Sequence, residues 1–166
     1  MIVQFSDLLS KNGRKKEINL SSTFEPIKFE GEEIKVIDKV LVDGIVTSME
    51  DVLVLNASIK TNLELQCSRC LDTFIYPIDI DIEERFTNNK DLLDDEEIIF
   101  VEGDVLNITE VVENSIISTL PIKRLCNKNC KGLCSSCGAN KNIKQCDCDN
   151  YDVDIRFAKL GELFGK

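Results

Sequence analysis

Eight cysteines and no histidine set the first constraint on this 166-residue chain. Six of the eight stand between Cys126 and Cys148, in the order Cys126, Cys130, Cys134, Cys137, Cys146, Cys148. The other two, Cys67 and Cys70, form an isolated C-x-x-C half a chain earlier. A C-x-x-C places two thiolates on one tight turn, where both reach the same ion. Cys134-Ser135-Ser136-Cys137-Gly138 is a strong version. Its glycine permits the positive φ that turns backbone N–H groups toward sulfur. Without histidine a metal site here is thiolate-rich, and zinc in a tetrahedron of four cysteines is the expected form. Such a site binds metal by about 10–16 kcal/mol at neutral pH, comparable to the whole stability of a small domain. A segment poor in large apolar residues can therefore fold on an ion.

Cys134 and Cys137 lead the expected ligands, followed by Cys146 and by Cys130 or Cys148. Cys67 and Cys70 either complete a shared site or found a second one with the remaining cysteines. The spacing does not assign partners, so one or two zinc ions are expected. Three other readings compete. A disulfide framework needs an oxidising compartment, and Met1 to Lys16 lacks the apolar stretch of a secretory signal. A thioredoxin-like redox pair belongs between a strand and a helix, whereas the residues on both sides of Cys67–Cys70 read as strands. Some cysteines, Cys126 and Cys67 among them, are alternatively small buried apolar residues.

At this length one domain is expected, with an antiparallel β body over 1–87, an acidic loop over 88–97, and a helical and cysteine-rich part over 98–166 packed with that body. No apolar run approaches a membrane span, and the chain reads as cytoplasmic. The net charge of −10 argues against a general nucleic-acid coat protein. The charge is unevenly divided, however. Asn114 to Gln145 contains no acid and six bases: Lys123, Arg124, Lys128, Lys131, Lys141 and Lys144. Asp72 to Glu113 contains fourteen acids against Arg85 and Lys90. The lysines either contact nucleic-acid phosphates or balance the negative charge of metal-bound thiolates.

Ile34 to Cys67 carries the clearest β pattern. Ile34, Val36, Asp38, Val40 and Val42 recur at period two and continue through Ile45 and Val46. Ser48 to Asp51 reads as a turn. In the answering run, Leu53, Leu55, Ala57 and Ile59 alternate with Val52, Val54, Asn56 and Ser58, and Leu63 and Leu65 carry the alternation to Cys67. A long antiparallel hairpin is expected. Phe74, Tyr76, Ile78, Ile80 and Ile82 predict a third strand, near an edge because of Pro77. Ile18 to Glu30 holds room for a first strand. Phe5, Leu8 and Leu9 have helix-like spacing, and Asn88 to Glu97 reads as a mobile loop. Ile98 to Val101 is a short strand. A helix capped by Asn107 or Thr109 buries Val112, Ile116 and Leu120 and stops at Pro121. A second helix is expected over Asp152 to Phe164. The fold class is α+β, an antiparallel meander with two helices and a cysteine-rich knuckle between them.

No serine–histidine–aspartate triad is possible without histidine, and neither a Walker loop nor a G-x-G-x-x-G is present. The chain is not expected to be an enzyme.

Several pieces align with a known family. Cys67-Ser68-Arg69-Cys70-Leu71 closes a β region, and an acidic stretch leads to Leu120-Pro121-Ile122-Lys123. Then come Cys130-Lys131-Gly132-Leu133-Cys134-Ser135-Ser136-Cys137-Gly138-Ala139-Asn140, Cys146-Asp147-Cys148, and Asp154-Ile155-Arg156-Phe157-Ala158-Lys159-Leu160. From about Leu65 to its end the chain resembles the YceD family, the large ribosomal RNA subunit accumulation proteins. It departs from the pattern at Lys141, where relatives often carry an apolar residue.

The resemblance implies a non-catalytic factor in ribosome biogenesis that supports accumulation of large-subunit (23S) ribosomal RNA. It does not impose a metal site on the whole family, since some relatives lack most of the C-terminal cysteines. The expected partner is that RNA or its precursor, with a ribosomal protein as a second candidate. The bases expected at phosphates are the six above, with Arg69 if the two C-x-x-C turns meet in space. The alternatives are an adaptor that docks its acidic face on a basic ribosomal protein, and a zinc-thiolate redox sensor.

Overall fold

In the computed structural model, residues 1–4, 14–29, 31–49, 51–92, 98–103 and 105–148 are described. The chain divides into two compact units, Met1–Leu65 with Thr73–Arg124, and Gln66–Asp72 with Leu125–Lys166.

The first unit is built on the expected hairpin. Strands β5 (Val40–Met49) and β6 (Val52–Gln66) pair antiparallel from Leu41 opposite Lys60 to Met49 opposite Val52. β5 therefore runs further than the sequence suggested, to Met49, while β6 begins at Val52 as expected. Along β6 the side chains of Leu53, Leu55, Ala57, Ile59, Leu63 and Leu65 are buried while their neighbours face outward or lie half-buried. That is the period-two pattern of a sheet with one face in a core. Gly44 lies opposite Ala57, where an added Cβ would fall 2.6 Å from the Ala57 Cα and collide with the Asn56 carbonyl oxygen. Only a residue without a side chain lets these strands approach.

β4 (Glu32–Val36) also pairs antiparallel with β6, placing Val36 opposite Leu63. Leu41 lies opposite Lys60, so five steps from β4 into β5 match three steps of β6. The two surplus residues bulge outward. Ile37 is 47% exposed, and its N–H donates to the Asn62 carbonyl at 2.9 Å. The Asp38 carboxylate accepts from the Asn62 amide at 2.7 Å. An even-numbered insertion keeps the same parity facing inward. Val40 and Val42 therefore stay in phase with Ile34, and the sequence reads as a single uninterrupted strand.

β2 (Lys15–Ser22) flanks β5, and β3 (Ile27–Phe29) pairs with β4. β7 (Thr73–Thr87) pairs with β6 and, over Arg85–Thr87 only, with β8 (Ile98–Phe100), completing a seven-stranded sheet. Among the described residues, Pro77 thus lies where β7 has a partner on one side only, as its missing N–H requires. The β7–β8 pairing is parallel, a departure from the all-antiparallel meander expected.

β1 (Ile2–Gln4) pairs with β9 (Val105–Asn107) in a separate ribbon. At three residues, Ile2–Gln4 is too short for a periodic pattern to mark it in the sequence. The helix α1 (Thr109–Ser118) follows. Its N-cap is Ile108, not Asn107 or Thr109. Asn107 still serves the helix start, its side-chain oxygen accepting the Thr109 N–H at 3.2 Å. Val112 and Ile116 are buried with Phe86, Leu106 and Ile108. The helix ends at Ser118, before Pro121.

Of the expected features, Phe5, Leu8 and Leu9, most of the acidic loop's end (93–97) and the Asp152–Phe164 helix lie outside the described residues. The α+β class holds: a mostly antiparallel sheet, a helix, and two cysteine clusters. Among the described residues no helix is long and apolar enough to cross a membrane.

Candidate metal centre

The second unit is assembled from two turns of the same design. In the first, the Leu71 N–H donates to the Cys67 carbonyl at 2.9 Å, and the Cys67 N–H donates to the Asp72 carbonyl at 2.9 Å. In the second, the Gly138 N–H donates to the Cys134 carbonyl at 2.9 Å, and the Cys134 N–H to the Ala139 carbonyl at 2.8 Å. Both turns need a left-handed residue directly after the second cysteine: Leu71 has φ 61° and Gly138 has φ 72°. The consequence is electrostatic. Each turn aims the backbone N–H groups of its third and fourth residues at the sulfur of its first.

The thiols respond accordingly. Burial opposes the Cys67 thiolate, yet backbone hydrogen bonds from Cys126, Cys70 and Arg69 outweigh it and hold the thiol at about 6. Backbone bonds from Cys137 and Ser136, helped by the Cys146 thiol, hold Cys134 at about 6. The sulfurs crowded beside them move the other way. A backbone bond from Asp72 favours the Cys70 thiolate, but burial and the Cys67, Cys126 and Cys130 thiols push its pKa far up. Cys126 is lowered by Cys70 but raised more by desolvation and by Cys67 and Cys130. Cys134 raises Cys146, and Cys137 with loss of solvent pushes Cys148 up to about 12. Four sulfurs packed together cannot all be charged unless a cation stands among them.

The eight cysteines form two sets of four: Cys67, Cys70, Cys126 and Cys130, and Cys134, Cys137, Cys146 and Cys148. Within each set all sulfurs lie within 4.8 Å of one another. The Cys67–Cys130 and Cys70–Cys126 separations are 3.8 and 3.6 Å. A tetrahedral zinc with bonds of about 2.3 Å requires sulfurs about 3.8 Å apart. A disulfide requires about 2.0 Å, and no disulfide links these residues. Cys67–Cys70 joins two strands, not a strand and a helix. Cys126 and Cys67, weighed above as small core residues, both belong to the first set.

Sequence proximity is ambiguous at Cys130, which stands four residues from both Cys126 and Cys134. It closes the set begun by Cys67. Gly132, at φ 72°, reverses the chain between them. A Cβ there would stand 3.0 Å from the Arg69 carbonyl oxygen, which accepts the Leu133 N–H at 3.0 Å. The Arg69 guanidinium donates to the Cys130 carbonyl at 2.8 Å. The two C-x-x-C turns therefore do meet, through this short strip. Arg69, expected at a phosphate, spends at least one donor on holding Cys130. One signal was present in the chain: the cysteines fall into four close pairs, and each set takes two pairs consecutive in sequence.

The expected phosphate contacts separate. Lys128, Lys131 and Lys144 are exposed in the cysteine unit, and Lys141 is half-buried there. Lys123 and Arg124 belong to the sheet unit. The Arg124 side chain is only 12% exposed, is ion-paired with Glu32, and lies over the Phe29 ring at 6.0 Å. In the sheet unit, Asp79, Asp81 and Glu83 are all exposed at alternate positions along β7.

Residues 55–164 match the family model described as "Large ribosomal RNA subunit accumulation protein YceD". The chain belongs to the YceD family. One YceD relative is "Large ribosomal RNA subunit accumulation protein YCED homolog 1, chloroplastic" of Arabidopsis thaliana, 33% identical over 58 residues, covering 35% of this chain and 18% of that protein. Another is "Uncharacterized protein YlbN" of Bacillus subtilis (strain 168), 29% identical over 108 residues, covering 64% of this chain and 63% of that protein. Both matches span less than two thirds of the relative's length. No solved structure matches. The YceD match takes in all eight cysteines and most of β6.

Proposed function

We propose that this chain is a non-catalytic factor for accumulation of large-subunit ribosomal RNA, and that it binds that RNA or an assembly intermediate through a zinc-organised unit. Membership of a family named for this RNA supports the biological role. The two four-sulfur sets carry the physical side of the reading. All-thiolate donor sets whose sulfurs lie within 4.8 Å of one another suit zinc better than hard cations such as magnesium or calcium. Zinc here supplies cross-links: Cys67, Cys70, Cys126 and Cys130 hold one ion, and Cys134, Cys137, Cys146 and Cys148 the other. Among the described residues of the unit the buried side chains are those of Cys67, Cys70, Cys130 and Cys134, so there the metal replaces apolar packing as the source of stability.

Each filled site adds a formal −2, which largely offsets the surrounding bases. Binding therefore rests on individual lysines at phosphates, namely Lys128, Lys131 and Lys144, and not on a strongly positive field. Crosslinking in cells followed by sequencing of the bound RNA tests the reading. Enrichment of large-subunit RNA supports it, and a profile that mirrors total RNA counts against it.

A second reading has an observation of its own. The exposed row Asp79, Asp81 and Glu83 on β7 presents carboxylates at a two-residue repeat, suited to a basic ribosomal protein. Pull-down after nuclease treatment separates the two. Ribosomal proteins retained without RNA favour docking through the acidic face.

A further inference from the structure

Asn142 lies in the span between Cys137 and Cys146, inside the second set of cysteines, yet its side chain serves the first. Its Nδ2 donates to the Cys130 sulfur at 3.3 Å and to the Asn140 side-chain oxygen at 2.9 Å. Its Oδ1 accepts the Lys131 N–H at 2.8 Å. Both amide hydrogens and the carbonyl are thus committed, and the Lys131 bond fixes which end of the amide faces the sulfur. Asn140 in turn donates to the Asp72 carboxylate at 2.7 Å. Asp72 is the residue whose carbonyl accepts the Cys67 N–H at 2.9 Å. A continuous chain of hydrogen bonds therefore runs from one knuckle, through the loop of the other site, back to a sulfur of the first. The backbone follows the same route: the Lys141 N–H donates to the Gly132 carbonyl at 2.9 Å.

We propose that Asn142 couples the two metal sites, so that filling one raises the affinity of the other. The inference rests on the reading of both sets as zinc sites. Closing the second site orders the span 138–145 and presents the Asn142 amide to Cys130. Filling the first site makes the Cys130 sulfur a metal-bound thiolate, a stronger acceptor for that amide, which holds the span in place for the second ion. Coupling of this kind is reciprocal: each ion strengthens the other by the same factor. Asn142 is a positioning residue, since it reaches the metal only through sulfur.

The test uses the full chain. Zinc affinities are measured by chelator competition for the first site alone, with Cys137→Ser and Cys148→Ser, and for the second alone, with Cys70→Ser and Cys126→Ser. The overall two-ion constant of the intact chain, divided by the product of these two, is the coupling factor. We expect about tenfold, within the usual allosteric range, falling close to one when Asn142→Ala is added to all three proteins. A factor of one in the original chain, or a factor unchanged by Asn142→Ala, overturns the proposal. Absence of zinc binding overturns the zinc reading as well, so the two failures are distinguishable. A measurement on the chain without substitutions stands apart from variant folding. With NMR-active cadmium in both sites, the Asn142 side-chain protons should show scalar coupling to the ion held by Cys130. No coupling there also overturns the proposal.

Discussion

Leu71 and Gly138 occupy the same place in two copies of one turn. Each follows the second cysteine of a C-x-x-C, each is left-handed, and each donates its N–H to the carbonyl of the first cysteine. Only one of them is a glycine. A left-handed conformation costs a residue with a Cβ about 1–2 kcal/mol. Leu71 is 55% exposed, so little burial repays that cost.

Leu71→Gly should therefore stabilise the zinc-loaded protein by about 0.5–1 kcal/mol, the relief of strain exceeding the entropy cost of glycine. Gly138→Leu should destabilise it by about 1–2 kcal/mol. Denaturant unfolding at fixed free zinc measures both, and equal effects of the two substitutions would refute the equivalence of the turns.

Zinc affinity should rise with pH. Cys70 and Cys126 in one set, and Cys146 and Cys148 in the other, are raised above the ordinary thiol value and hold protons at pH 7–8. Zinc displaces them, so the logarithm of the affinity should climb by at least about two per pH unit per site. Below about pH 6 the slope should steepen, because Cys67 and Cys134, each at about 6, then regain their protons too. Chelator competition across pH 5.5–8 reads the slope. A flat profile would exclude these thiols as ligands.

RNA affinity should depend on three lysines more than on Lys123 and Arg124, the two bases of the predicted patch that lie in the sheet unit. Replacing Lys128, Lys131 and Lys144 with alanine should lower the dependence of log affinity on log salt by about two to three. Arg124→Ala should leave that slope unchanged and instead cost about 1 kcal/mol of stability, through loss of the pair with Glu32 and the contact with Phe29. Binding isotherms at several salt concentrations, beside denaturant melts, distinguish the two classes.

Gly44→Val should destabilise the sheet unit by about 2 kcal/mol or more, because the new side chain meets Asn56 and Ala57 of the adjacent strand. Unfolding midpoints of the variant measure this. A neutral substitution would contradict the β5–β6 register.

The hairpin, the period of β6 and β7, the apolar face of α1 and the all-sulfur character of the two cysteine sets are all local properties, and the order of residues alone determined them. Alternation of Leu53, Leu55, Ala57 and Ile59 permits one buried face, and a chain with eight cysteines and no histidine favours thiolate-rich zinc sites. The bulge at Ile37–Asp38 stayed invisible because an insertion of two preserves inward parity. The parallel β7–β8 pair and the β1–β9 ribbon join residues far apart in the chain, so no local pattern records them. The partition of the sulfurs was likewise decided only in three dimensions. Cys130 stands four residues from both Cys126 and Cys134, and the left-handed turn at Gly132 and the grip of Arg69 on the Cys130 carbonyl go with its place beside Cys126 and Cys67. Spacing limits which sulfurs can meet; the backbone turns between them choose which ones do.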